Sequence, residues 1–328
     1  MADKTPVLVT GGAGYIGSHA VLALADAGWS VAVIDDLSTG FRDAVPEGVP
    51  FYEGDVADRD LVYRVFEEQS VGAIMHFAGS VIVPESVADP LSYYENNCAK
   101  SRTLLAAAVA AGVPHFVFSS TAAVYGDADT PIVDEAAALR PITPYGRSKL
   151  MTEMMVADAS MAYAMNSCIL RYFNVAGADP AGRAGQSTRG ATHLVKVAVE
   201  AATGKREMVA IFGTDYETPD GTGVRDFIHV SDLASAHVLA LEALIDNPDQ
   251  SYLFNCGYGR GFSVLDVLDT VDRVAGTAIL RRTEARREGD IGALIADPRK
   301  IQRALHWAPR YDDLSTIIEH ALAWERAT

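Results

Sequence analysis

Positive charge is scarce in this chain of 328 residues: 27 lysines and arginines face 43 aspartates and glutamates, a formal net charge of -16. A surface of that sign repels a polyphosphate backbone, so no nucleic-acid partner is expected. A small phosphate-bearing ligand stays open, because a local arginine site overrides the global field. Cysteine is equally sparse. Cys98, Cys168 and Cys256 are odd in number and far apart, which offers no metal-ligand spacing and suits free thiols in a reducing cytoplasm. No apolar run is long enough to span a bilayer, so no membrane association is expected. The opening Met-Ala-Asp-Lys-Thr-Pro leads straight into a strand and carries no secretory pattern. Repeats and low-complexity tracts are missing. His19, His76, His193 and His229 lack metal-ligand spacing and read as packing or hydrogen-bonding residues, so no metal is expected.

What the chain does hold is the mixture of a soluble globular enzyme, 49% hydrophobic and 21% charged residues. Val7–Thr10 is a short apolar run feeding a glycine loop, Gly11-Gly12-Ala13-Gly14-Tyr15-Ile16-Gly17. Residues 16–27 have helical spacing and stop at Gly28, and residues 30–35 form a second buried strand ending on Asp35. Glycines at the first turn of a strand–helix–strand unit let the backbone approach a pyrophosphate, and the helix N-terminus stabilises its charge. Asp35 stands eighteen residues after Gly17, about the offset at which an acid binds the adenosine 2′-hydroxyl and repels a 2′-phosphate. The cofactor expected is NAD rather than NADP.

Further strands over 50–55, 73–77, 115–119 and 167–171 alternate with helical patterns, notably over 90–111 and 145–165. That alternation predicts an α/β fold, a Rossmann-type doubly wound parallel sheet. Asp55, Ala78, Gly79, Ser119, Ser120 and Thr121 fall at its carboxyl edge, where ligands gather. Residues 179–190 and 213–223 read as loops, and the C-terminal third mixes helices, short strands and several arginines. The expected division is an NAD-binding domain over 1–174 and a smaller mixed α/β substrate domain over 175–328, with some later segments packing back on the first.

Tyr145-Gly-Arg-Ser-Lys149 follows Thr143-Pro144. Thr143 can cap a helix and Pro144 suits its first position, so Tyr145 and Lys149 share one helical face. A lysine beside a tyrosine is expected to favour the phenolate and make it a usable base. Thr121, at a strand end, can share the substrate proton with that tyrosine. A dinucleotide plus a tuned tyrosine points to hydride chemistry at a carbinol or carbonyl carbon.

These motifs resemble those of the extended short-chain dehydrogenase/reductases, and within them the 4-epimerases of UDP-sugars. The likeness runs nearly end to end. It includes His76-Phe-Ala-Gly79, Pro90-Leu-Ser-Tyr-Tyr-Glu-Asn-Asn97, Ser119-Ser-Thr-Ala-Ala-Val-Tyr-Gly126, Arg171-Tyr-Phe-Asn174, Gly221-Thr-Gly-Val-Arg-Asp-Phe-Ile-His-Val230 and Arg286-Arg-Glu-Gly-Asp290. The late motifs are more particular to the epimerases than the early ones. The resemblance implies NAD-dependent epimerisation at C4 of a UDP-hexose through a transient 4-keto sugar. Tyr145 would exchange the hydroxyl proton, Lys149 would bind the nicotinamide ribose, and Thr121 would bridge tyrosine and substrate oxygen. It also implies cofactor contacts from Gly11, Gly14, Tyr15, Ile16, Gly17, Asp35, Asp55, Val56, Phe77, Ala78, Gly79, Asn96, Ser119 and Tyr172. Substrate contacts are implied for Phe173, Asn174, His193, Leu194, Ala210, Phe212, Arg225, Arg287, Asp290 and Leu294. Apolar stripes on the helices near Pro90 and from Tyr145 are implied to pair across a two-fold as a homodimer.

Three positions depart from that pattern. Thr121 replaces a commoner serine, Val81 stands where a second lysine is often found, and Leu294 occupies a gate position. A bulky Leu294 is expected to disfavour N-acetylated sugars. Ala122 and Ala123 follow Thr121 where dehydratases carry an acid pair, which disfavours elimination. A UDP-pentose or UDP-N-acetylhexosamine 4-epimerase and a non-catalytic nucleotide-sugar sensor stay open as alternatives.

Overall fold

The computed structural model describes residues 4–188, 190–287 and 289–328. In chain order its strands are β1 Val7–Thr10, β2 Val31–Asp35, β3 Phe51–Glu53, β4 Ala73–His76, β5 His115–Thr121, β6 Ile132–Val133, β7 Asn166–Tyr172, β8 Asn174–Ala176, β9 Val209–Phe212, β10 Val224–His229, β11 Tyr252–Cys256, β12 Gly261–Ser263, β13 Arg281–Glu284 and β14 Ala293–Ala296. The α-helices are α1 Tyr15–Asp26, α2 Arg59–Gln69, α3 Val83–Ala88, α4 Pro90–Tyr94, α5 Lys100–Ala110, α6 Pro144–Ala162, α7 Leu194–Ala202, α8 Val230–Asp246, α9 Val264–Ala275, α10 Arg299–Leu305 and α11 Leu314–Ala327. Two compact units emerge. One comprises residues 1–124, 141–171 and 234–254, the other 125–140, 172–233 and 255–328.

The first unit is built on a sheet of order β11-β7-β5-β4-β1-β2-β3. Every residue of β1, β2 and β4 is buried. That is why these strands read as unbroken apolar runs: helices cover both faces of the sheet. β1 pairs in parallel with β2 on one side and with β4 on the other. The chain leaves β1 toward β2 and β3, then returns to β4 and β5 on the far side. The carboxyl ends of β1 and β4 therefore flank a topological switch point, where a crevice for ligand opens. Leu8, Ile34, Ile74, Leu104, Phe116 and Phe118 anchor the core.

One expected helix is interrupted. Residues 90–111 do not form a continuous α-helix. α4 passes into a π-helical turn over Glu95–Ala99 before α5 begins. The extra residue per turn rotates the asparagines relative to a regular helix, a device often found near functional sites.

The second unit carries a sheet of order β12-β10-β14-β6, with β8 beside β10, and a separate β13-β9 pair. Its core joins Val195, Val199 and Ile211 to Phe227, Leu268, Ile317 and Leu322. Among the described residues no helix is long and apolar enough to cross a membrane.

Candidate active site

The glycine loop sits at the end of β1, and its packing explains its composition. A Cβ on Gly17 would lie 2.1 Å from the carbonyl oxygen of Gly11. One on Gly11, whose φ is +70°, would lie 2.6 Å from the Ala78 nitrogen, just past β4. Only bare backbone allows the loop to turn this tightly into α1. No side chain caps the N-terminus of α1, and no acid lies in its first turn. The positive end of the helix dipole at this N-terminus suits an anion.

Asp35 closes the loop from the end of β2. Its Oδ2 accepts from the Ala13 amide at 2.9 Å and its Oδ1 from the Leu37 amide at 2.9 Å. Burial pushes its carboxyl pKa up, while those two amides pull it down. Lone pairs beyond these two bonds suit a ribose diol. A glycine cradle, an uncapped helix and an acid at the next strand end together fit a dinucleotide, and specifically NAD. Asp55 lies after β3, where its Oδ1 accepts from Ala57 N at 2.8 Å and its Oδ2 takes an ion pair from Lys100 at 2.5 Å. Val56 beside it is buried. Phe77, Ala78 and Gly79 follow β4, and the Phe77 and Ala78 amides both donate to Thr10 O, at 2.9 and 3.1 Å.

Tyr145 and Lys149 stand on the first turns of α6. Thr143 caps that helix, its Oγ1 accepting from Gly146 N at 3.2 Å, and Pro144 occupies the first turn. Gly146 has a second duty. A Cβ there would sit 2.6 Å from the carbonyl oxygen of Ala123. Its absence lets the helix start lie against the turn after β5 and brings Tyr145 to Thr121. The Thr121 hydroxyl accepts the Ala123 amide at 3.1 Å, which leaves its own proton free to face a phenolate.

Lys149 is buried, donates to the Ser119 carbonyl at 3.1 Å and lies 5.0 Å from the centre of the Phe118 ring. Burial lowers its pKa from 10.5 to about 8, and Cys98 and Glu153 act in the opposite direction. Burial raises the Tyr145 pKa, and Thr121 acts to lower it.

Sequence reasoning passed over several groups here. Asn97 on the π-turn donates to Ser148 Oγ and to Ser80 O, both at 3.0 Å, and accepts from Ser80 N at 2.8 Å. Its neighbour Asn96 donates to Ser80 Oγ at 2.9 Å. These bonds tie the loop after Gly79 to α6. Asn97 and Ser148 lay inside the quoted motifs, so position was the available signal. Lys100 had none.

The second unit gathers another group of the expected residues. Arg225 on β10 is in register with Leu294 on β14. Its guanidinium is held by main-chain carbonyls, Nη1 by Val224 at 2.9 Å and Nη2 by Ile291 at 2.8 Å. Arg287 lies 3.6 Å from the centre of the Phe212 ring, a cation–π contact. The Asp290 carboxylate is within electrostatic reach of both arginines. Two guanidinium groups, an aromatic face and one acid make a set suited to a nucleoside diphosphate. Leu294 is buried at 5% exposure. Ala210 shares β9 with Phe212. Leu194 opens α7, His193 precedes it and contacts Gln186 at 2.7 Å. Asn174 pairs with Phe227 on β10. Phe173 is buried, and Tyr172 ends β7 within this second unit.

Known proteins resemble this chain over nearly its whole length. The chain is 55% identical to the UDP-glucose 4-epimerase of Azospirillum brasilense, over 100% of this chain and 95% of that protein. It is 47% identical to the UDP-glucose 4-epimerase of Streptococcus mutans, over 97% and 96%. The crystal structure of UDP-glucose 4-epimerase from Brucella ovis in complex with NAD superposes with a TM-score of 0.93 at 42% identity, covering 97% of this chain and 98% of that one. Residues 7–257 match the NAD dependent epimerase/dehydratase family. The glycine cradle, the tyrosine and lysine of α6 and these likenesses converge, and the chain belongs to the NAD dependent epimerase/dehydratase family.

Proposed function

We propose that this protein interconverts UDP-glucose and UDP-galactose by inverting C4 of the sugar. The observation that carries this reading is Lys149, four residues along α6 from Tyr145, donating to Ser119 on the strand that ends at Thr121, at the carboxyl edge of a sheet whose first turn fits NAD. NAD, when bound, supplies a reversible hydride acceptor. Tyr145 takes the proton of the C4 hydroxyl as the hydride leaves C4, so a 4-keto sugar forms. Thr121 donates to the phenolic oxygen as its charge develops. Return of hydride to the opposite face and return of the proton from Tyr145 restore a neutral hydroxyl with inverted configuration. No net oxidation occurs. Lys149 supplies the cationic charge that favours the tyrosinate once a ribose hydroxyl shares its protons.

Arg225, Arg287 and Asp290 hold the uridine diphosphate in this reading, with Phe212, Leu194 and Asn174 beside it. Leu294, bulky and buried, restricts the sugar pocket, so UDP-N-acetylglucosamine is a poorer substrate than UDP-glucose. The active form is a cytoplasmic homodimer. Leu91, Met151, Met154 and Met161 are exposed at 76%, 46%, 56% and 88% on α4 and α6, two helices that pack together. An apolar face of this kind suits a second copy.

The test is chromatography of the purified protein incubated with UDP-galactose and no added cofactor. Formation of UDP-glucose supports the reading and shows that NAD is retained. Failure with added NAD and with every UDP-sugar offered overturns it.

A further inference from the structure

Residues 234–254 belong to the first unit, and with α8 they bring His237 into it. This imidazole is fully buried on a helix whose neighbouring positions Ala234, Ala236, Val238, Ala240 and Leu241 are buried and apolar. Packing alone calls for one more aliphatic residue there, since a buried polar ring is costly unless it is hydrogen-bonded. Nε2 of His237 lies 2.8 Å from Ser119 Oγ. The same imidazole packs on the Phe77 ring, with centroids 4.7 Å apart. These contacts lie near the carboxyl ends of the adjacent strands β4 and β5. Ser119 is held twice. Its hydroxyl meets His237, and its main-chain carbonyl accepts from the Lys149 ammonium at 3.1 Å.

We propose that His237 is a positioning residue for the redox step: by holding Ser119 it fixes the carbonyl that places Lys149, while backing the Phe77 ring. The proposal rests on reading Ser119, Phe77 and Lys149 as cofactor-side groups of a C4 epimerase. The physical cause is reach. A lysine side chain has four rotatable bonds, and its ammonium keeps one position only while the strand residue that anchors it does; the imidazole backs that residue from its side-chain side. The hydroxyl–imidazole bond removes one freedom of Ser119, and the Phe77 contact holds the imidazole in turn.

The experiment is steady-state kinetics on UDP-galactose for the unaltered protein, His237→Leu, His237→Gln, Ser119→Ala and the His237→Leu/Ser119→Ala pair. Turnover of the unaltered protein is measured first. Its failure sinks the epimerase reading itself and is thereby separated from failure of the present proposal. We expect kcat of His237→Leu to fall about tenfold, the scale of one lost buried hydrogen bond, with KM unchanged because the UDP-binding groups are untouched. His237→Gln, which can still reach the serine, recovers most of that loss. Adding Ser119→Ala to His237→Leu costs nothing further. An undiminished kcat in His237→Leu, a glutamine no better than leucine, or two losses that multiply would each overturn the proposal. Should His237→Leu not fold, Ser119→Ala carries the test alone, and a full kcat there overturns it as well.

Discussion

Lys149 and Glu153 lie one turn apart on α6, yet the two charges take different partners. Lys149 turns to the Ser119 carbonyl at 3.1 Å, while Glu153 is clamped by Arg171, Nη2 to Oε2 at 2.6 Å and Nε to both oxygens at 3.0 and 3.1 Å, and also receives the Ser120 hydroxyl. Glu153 is left as a distant support for the ammonium rather than its neutralising partner. The lysine stays available to a ligand.

This arrangement sets a pH window. Burial lowers the Lys149 pKa from 10.5 to about 8. Activity that needs the ammonium should decline as pH rises through about 8, seen as an alkaline limb in kcat against pH. Stability moves the other way. Between pH 8 and 10.5 the unfolded chain binds more protons than the folded one, so stability rises with pH across that interval. Below it the buried charge costs about 3 kcal/mol. Lys149→Met should therefore raise the melting temperature at pH 7 while lowering kcat by about 100-fold or more. A melting temperature well below the parent's would show that the lysine pays its way structurally.

Thr121 should govern the base. Burial raises the phenol pKa and the threonine hydroxyl opposes it. Thr121→Ala removes that donor, so less tyrosinate forms at a given pH and kcat should fall about 10- to 100-fold. Thr121→Ser should retain most activity. Tyr145→Phe should lose about 1,000-fold or more, with its circular dichroism spectrum unchanged. Comparable rates for the alanine and serine variants would contradict the role given to the hydroxyl.

The Glu153–Arg171 clamp is buried on both sides, at 5% and 4% side-chain exposure. Arg171→Met leaves a carboxylate without its cation in a dry interior, which costs about 3–5 kcal/mol. The urea midpoint should drop while the slope of the transition is kept. An unchanged midpoint would mean that water reaches Glu153.

The two ligand sets should separate under mutation. Gly17→Ala forces a Cβ to within 2.1 Å of the Gly11 oxygen, so the purified variant should carry little NAD when its cofactor is released by acid and quantified. Arg287→Ala removes the cation over Phe212. It should raise KM for UDP-galactose about tenfold and leave NAD content intact. Loss of NAD in the arginine variant would place Arg287 in a different role.

Local chemistry made much of this protein readable from its residues alone. The glycine loop, the acid at the end of β2 and the capped Tyr145 helix are each specified by neighbours within a few positions, through allowed φ, capping and helical spacing. Their places at the ends of β1, β2 and β5 followed from buried strands alternating with helices. The π-turn at Glu95–Ala99 was not readable, because propensity along 90–111 is continuous. What ends the α-helix there is tertiary: Asn97 exchanges regular packing for bonds to Ser80 and Ser148.

The sequence by itself determined the doubly wound sheet, the nucleotide cradle and the placing of Tyr145 and Lys149 on one helical face, since each depends on short-range sterics and periodicity. Only the tertiary structure decided which groups tune them. The phenol pKa depends on burial and on Thr121, 24 positions earlier in the chain. The lysine pKa depends on desolvation. The imidazole behind Ser119 comes from 118 residues away. Electrostatic energies in a dry site depend on distance through space and on exclusion of water, and neither is written in the order of residues along the chain.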